Sequence, residues 1–241
     1  MREVQEEFQL NIAFDTEICL VRRSDETGLY ELTDRAGKVW KCKYLVVATG
    51  WTAEKIPSFI RGVEGVQTYG DHDMNRDRYK HKSVLIIGKG NSGFETADYL
   101  IPVAAKIHVT SPTPLSLAWY SRYVGHVRAV NNNFFDTYLL KSGNTIFNLQ
   151  IHEIKRVGDH FEVYMSKPNK KEHERFQNVN SYDEIISCAG FVFDNAIYDQ
   201  ALKQDLCSKG KFPLMHENFE SKKNPNMFFA GTITHVLDAY Q

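Results

Sequence analysis

The sequence predicts an α/β fold in which a βαβ-containing module sits inside a second, split domain with antiparallel meanders. Three observations carry this. Glycines fall at 88, 90 and 93, between the apolar run Val84–Ile87 and a helical pattern of Phe94, Ala97, Leu100 and Ile101. A second apolar strand, Lys106–Thr110, follows one helix later and completes a βαβ unit. Strands that end in small residues and glycine recur at Gly50, Gly190 and Gly231, each time outside that unit.

Taken in order, residues 1–9 read as the tail of an amphipathic helix, with Val4 and Phe8 four apart. Short strands are expected at Leu10–Phe14, Ile18–Val21, Tyr30–Thr33 and Val39–Lys43, with turns at Ser24–Gly28 and Arg35–Lys38. Tyr44–Gly50 is an apolar strand that closes this meander. Residues 56–82, rich in Pro, Gly, Asp and Arg, read as a linker. The β-branched run Val84–Ile87 has the character of a parallel strand buried on both faces. Leu115–Leu140 is read as helix and loop, broken at Asn131–Asn133. Strands are expected again at Glu153–Val157 and Phe161–Met165, then a solvated basic turn at Lys167–Arg175. Ser181–Phe191 and Asn226–Gly231 are the last two strands. The predicted division is 1–55 and 196–241 for the split domain, 56–82 for the linker and 83–195 for the inserted module.

Composition excludes several classes. The chain has 241 residues, 42% of them hydrophobic, and a net charge of −1, so no basic surface marks a nucleic-acid partner. No apolar run approaches the ~20 residues that span a bilayer. The four cysteines, Cys19, Cys42, Cys188 and Cys207, form no Cys-x-x-Cys pair and lie at no zinc spacing, so no metal site is expected. Cys188, inside a strand, reads as a small apolar filler.

The glycine spacing has a physical meaning. Gly88 lets the chain leave the strand tightly, Gly90 lets a pyrophosphate approach the backbone, and Gly93 lets the helix lie close to the strand. The free N–H groups of Asn91, Ser92 and Gly93 at the helix start then receive phosphate. An NAD-selective turn places an acid about 20 residues on; here Val109, Thr110 and Ser111 stand there, and no acid occurs between Asp98 and Asp136. Ser111 is a hydrogen-bond donor for a 2′-phosphate and Arg122 a charge for it, so NADPH is expected over NADH. A plain strand–turn–helix and a solvated Arg122 are the alternative readings.

The order of these segments resembles the flavoproteins with two dinucleotide-binding domains. Residues 45–50, 84–97, 183–191 and 228–235 resemble the flavin-containing monooxygenase group. The stretches at 119–132, 135–142 and 189–195 are similar to the endoplasmic-reticulum FAD-dependent oxidoreductases within it. The resemblance implies NADPH on the turn at 88–93, with Gly190 near it, and FAD beside Ala48, Thr49, Gly50, Gly231 and Thr232. It implies a small-molecule or protein redox substrate, protein quality-control partners and the endoplasmic-reticulum lumen; without it the cytoplasm is the default. Alternatives are a monooxygenase of small amines, sulfides or ketones, and a nicotinamide-binding scaffold without flavin chemistry. Such flavoproteins begin with a further G-x-G-x-x-G, which this sequence does not contain. It therefore reads as a piece of a longer protein, expected to hold no FAD by itself. His235 falls in the start of a monooxygenase-like fingerprint by coincidence; Trp119, Tyr120 and Tyr123 read as helix packing; His72 and His81 read as solvated.

Overall fold

The computed structural model describes residues 2–115, 133–134, 136–137, 143–168, 178–206 and 212–234. The chain divides into two units, residues 1–53 with 191–241, and residues 54–190.

The first unit opens with helix α1 (Arg2–Glu7), which buries none of its side chains. Strands β1 (Ile18–Arg23), β2 (Tyr30–Asp34) and β3 (Val39–Cys42) form an antiparallel meander. Leu10–Phe14, expected as a strand, is irregular: alternation alone makes no strand without a partner, and Leu10 and Phe14 remain exposed. Strand β4 (Leu45–Val47) is shorter than expected, and β5 (Ala53–Glu54) follows it.

The second unit is built on a parallel sheet. Its strands are β6 (Gln67–Thr68), β7 (Ser83–Ile87), β8 (Lys106–Thr110), β9 (Thr145–Phe147) and β13 (Glu184–Ser187), in the order β6-β13-β7-β8-β9. Helix α2 (Asn91–Leu100) connects β7 to β8. Strands β10 (Gln150–Val157), β11 (His160–Ser166) and β12 (Asn178–Tyr182) form a separate antiparallel sheet. Val84, Ile86, Ile107, Val109 and Ile186 pack on one face of the parallel sheet against Phe94, Ala97 and Leu100 of α2. Leu85, Ile87 and Ile185 pack on the other, against Ile151, Ile154, Val163 and Met165 of the antiparallel sheet. Burial on both faces explains why the strand 84–87 is continuously apolar.

Residues 56–82 are part of this unit rather than a linker. Ile60 and Val63 enter the core beside β10, Tyr79 is fully buried, and β6 adds an edge strand to β13. Polar bonds hold that edge. Glu54 accepts from the Thr68 hydroxyl and, at 2.8 Å, from the Gly70 N–H, and Gln67 donates to Glu184 at 2.8 Å.

The chain returns to the first unit through β14 (Phe191–Val192), helix α3 (Gln200–Leu206) and β15 (Met227–Phe229). Strand β15 pairs in parallel with β4. Val21, Tyr30, Val47, Phe193, Tyr198, Leu202 and Phe229 make this unit's core. The Tyr30 hydroxyl donates to the Pro225 carbonyl at 2.9 Å.

His108 on β8 is buried between the two sheets. Its Nε2 faces the Gly143 carbonyl at 3.1 Å, so Nε2 carries the proton, and Nδ1 accepts from the Tyr182 hydroxyl at 2.8 Å. Burial first, then the Lys106 charge, pushes its pKa down to about 4. The unfolded histidine binds a proton below about pH 6.5 while the folded one stays neutral. Stability is therefore full above pH 6.5 and falls by about 3 kcal/mol as pH drops towards 4. Urea unfolding across that interval is expected to show this slope, and His108→Gln to flatten it; an unchanged slope in the variant contradicts the assignment.

Candidate functional site

The carboxyl ends of four strands of the parallel sheet lie in one row: Ser187, Ile87, Thr110 and Phe147 are register partners in turn. The chain moves outwards from β7 to β8 and β9, then returns to β13 on the other side of β7. Such a reversal opens a crevice at the strand ends, where open α/β sheets bind ligands. A cavity of about 610 Å³ lies there. It is lined by Gly88, Lys89 and Gly90 after β7, by Cys188, Ala189 and Gly190 after β13, and by residues 110–115 at and beyond the end of β8. Its size suits a small ligand or cofactor. Phe59, 62% exposed, stands at its wall.

The glycines of the turn do different work. Gly88 has φ +119°, and a Cβ there would stand 2.2 Å from the Cys188 carbonyl oxygen. A Cβ at Gly93 would stand 2.2 Å from the Gly88 carbonyl oxygen. Backbone meets backbone at both places, so neither tolerates a side chain. At Gly90 the Cβ direction holds nothing within 4 Å, which leaves the space a phosphate would use.

Gly90 is the N-cap of α2, and no side chain caps the helix. The first helical bond runs from the Phe94 N–H to the Gly90 carbonyl at 3.2 Å. The N–H groups of Asn91, Ser92 and Gly93 precede it and are directed out of the helix start, with the positive end of the helix dipole behind them. Oδ1 of Asn91 is buried without a partner and is an acceptor that a ribose hydroxyl can satisfy. Open space at Gly90, uncapped amides and an orphaned acceptor together fit a dinucleotide.

Ser111 follows directly on β8. Its Oγ donates to the Thr113 carbonyl at 3.3 Å and lies 3.4 Å from the Thr113 hydroxyl. No carboxylate occurs in 110–115. Gly190, with φ +91°, borders the cavity at the end of β13. Cys188 is buried among the residues under α2, with Sγ 3.8 Å from the Thr96 hydroxyl. Burial pushes its thiol pKa up to about 12, so it is neither a thiolate nor a nucleophile at neutral pH.

Sequence reasoning passed over Lys89, because the second position of the glycine motif carries no expected chemistry. Its Nζ donates to the Phe147 carbonyl at 3.2 Å and to the Asn148 side-chain oxygen. Burial lowers its pKa.

In the first unit, Ala48, Thr49 and Gly50 follow β4, while Gly231 and Thr232 follow its parallel partner β15. The two loops leave the same end of the pair. A Cβ on Gly50 would be 3.4 Å from Thr232 Oγ1, and Gly50 and Gly231 have φ of +72° and +79°. Ala48, Thr49, Gly231 and Thr232 are exposed. Arg122, Trp119, Tyr120, Tyr123, Cys207 and His235 lie outside the described residues. Among the described residues no group of three or more His, Cys, Asp or Glu side chains could hold a metal ion, and Cys19, Cys42 and Cys188 are free thiols. No helix among them is long and apolar enough to cross a membrane.

A parallel sheet with a glycine turn under its crevice, inserted in the split first unit, is the architecture of a dinucleotide-binding fold. Residues 1–231 match the family model described as pyridine nucleotide-disulphide oxidoreductase, and the chain belongs to that family. It is 30% identical to the FAD-dependent oxidoreductase domain-containing protein 2 of Danio rerio, over 97% of this chain and 40% of that protein. It is 33% identical to the Mus musculus protein of the same name, over 86% of this chain and 34% of that protein. The chain thus spans well under half the length of these relatives. Among solved structures it is similar to the bacillithiol disulfide reductase of Staphylococcus aureus, with a TM-score of 0.69 and 19% identity over 99% of this chain and 68% of that one. That likeness is one of fold.

Two substitutions separate the structural glycines from the open one. Gly88→Ala is expected to lower the stability of the second unit by more than about 3 kcal/mol, combining strain at positive φ with backbone overlap. Gly90→Ala is expected to change stability by less than about 1 kcal/mol and to weaken dinucleotide binding about tenfold. Urea unfolding and cofactor-fluorescence titration measure the two effects, and the reverse ranking contradicts the cradle.

Proposed function

We propose that the chain supplies the nicotinamide-binding unit and part of the FAD-binding unit of an NADPH-dependent flavin oxidoreductase. The observation that carries this is the cradle at Gly90 to Gly93, open above the α2 N-terminus and free of any acid at the end of β8. An acid there would bond the ribose 2′-hydroxyl of NADH and repel the 2′-phosphate of NADPH. When bound, the two cofactors would provide hydride transfer from nicotinamide to flavin, with electrons passed onward from the reduced ring.

In this proposal the amides of Asn91, Ser92 and Gly93 hold the pyrophosphate, and the Ser111 hydroxyl turns to the 2′-phosphate. Gly190 leaves room for the dinucleotide at the end of β13. Ala48, Thr49, Gly50, Gly231 and Thr232 would let the backbone approach FAD without intervening bulk. Arg122 keeps its expected role as a charge for the 2′-phosphate. The similarity to FAD-dependent oxidoreductase domain-containing protein 2 supports the flavin assignment. The resemblance also supports a setting in the endoplasmic-reticulum lumen with protein quality-control partners, which localisation of the tagged gene product in cells would check.

Fluorescence titration of the purified protein with NADPH and NADH is expected to give tighter binding of NADPH by about tenfold, the effect of one charge-assisted contact. Equal affinity, or a preference for NADH, contradicts the proposal.

A further inference from the structure

The sequence offers no basic residue just after β8, where a 2′-phosphate is expected: Pro112, Thr113 and Pro114 stand there instead. The structure brings a cation to that place from another element. Lys89 begins at the end of β7, yet its Nζ bonds the carbonyl of Phe147 at the end of β9. In the sheet order β7-β8-β9 this path crosses the end of β8. Neighbouring strands are about 4.8 Å apart, so a lysine that spans two intervals must be extended over the strand between them. The Ser111 N–H approaches the same Phe147 oxygen, at 3.4 Å. The Lys89 ammonium and the Ser111 backbone therefore share an acceptor, and both residues line the cavity.

We propose that Lys89 is the residue that selects the 2′-phosphate, so that the glycine turn carries its own specificity-determining cation. The inference presupposes that the turn binds NADPH, as proposed above.

Two features favour this over a purely structural lysine. Its acceptors are a carbonyl and an amide oxygen, both neutral, and no carboxylate among the described residues shifts its titration. A part-buried ammonium with only neutral partners gains most from an anion beside it. The hydroxyls of Ser111 and Thr113, 3.4 Å apart, stand on the same stretch as donors for that anion. A role on the pyrophosphate fits less well. The pyrophosphate belongs over the α2 N-terminus, while the acceptors of Nζ lie beyond β8, on β9 and the residue after it.

Calorimetric titration of the 241-residue chain with adenosine 2′,5′-bisphosphate, 5′-AMP, NADPH and NADH tests this, for wild type, Lys89→Met and Lys89→Arg. Lys89→Met is expected to weaken the two 2′-phosphorylated ligands by about tenfold to a hundredfold and to change 5′-AMP and NADH by less than about twofold. Lys89→Arg is expected to retain the preference. Equal loss for all four ligands would show that Lys89 shapes the turn or binds the pyrophosphate, and overturns the inference. An undiminished 2′-phosphate preference in Lys89→Met also overturns it, while NADPH use stands. Failure of the wild type to bind any of the four overturns NADPH use itself, and the inference with it. If Lys89→Met loses its native circular-dichroism spectrum, Lys89→Gln keeps a donor for the Phe147 carbonyl and gives the same comparison without the charge.

Discussion

Two backbone contacts organise the second unit. The carbonyl of Cys188 stands where a side chain on Gly88 would be, and the carbonyl of Gly88 stands where one on Gly93 would be. The first contact sets the chain leaving β7 against the chain leaving β13. The second seats α2 on the turn. Both rely on glycine, because close backbone approach and positive φ each exclude a Cβ. The distance they remove from the turn is the distance that leaves Gly90 open and the helix start uncapped. Structure and site are thus one arrangement: the residues that lock the turn also produce the unfilled space above it.

That arrangement needs a rigid floor, which comes from burial rather than from the turn. β7 is covered on one face by α2 and on the other by the antiparallel sheet, so its side chains leave no freedom of register. The four strand ends then stay aligned, and one long side chain can reach from β7 to β9. Two buried polar side chains within this floor are paired. His108 stays neutral because burial, and then the Lys106 charge, disfavours its imidazolium, while its two nitrogens find one donor and one acceptor. Glu184, also buried, meets Lys82 Nζ at 2.7 Å. Cys188 is closed off from the cavity's chemistry by the same packing, so the thiol is part of the floor although its backbone borders the site.

Much of this was legible in the sequence because it rests on local pattern. The run 84–87 shows two-sided burial, the glycines show their spacing, and Phe94, Ala97 and Leu100 show a helix face. The missing acid after β8 was also local. What the sequence hid depends on tertiary partners. β6 is two polar residues, Gln67 and Thr68, held by side chains from Glu184 and Glu54, so nothing in 56–82 announces a strand. Leu10–Phe14 has the alternation of a strand and is not one. Lys89 is defined by a reach across β8 that no spacing encodes. The resemblance alone placed Ala48–Gly50 and Gly231–Thr232 beside one cofactor, and the parallel pairing of β4 with β15 puts the two loops at the same end of that pair.

The central claim is that the crevice at the ends of β13, β7 and β8 is the dinucleotide site. Hydrogen–deuterium exchange on the protein with and without NADPH tests it directly, because amides that bond a phosphate exchange slowly. Protection is expected at the amides of 89–94 and of 111, with little change in the meander β1-β2-β3. Saturating NADPH that leaves 89–94 unprotected, or protects only the loops at Gly50 and Gly231, would contradict the account.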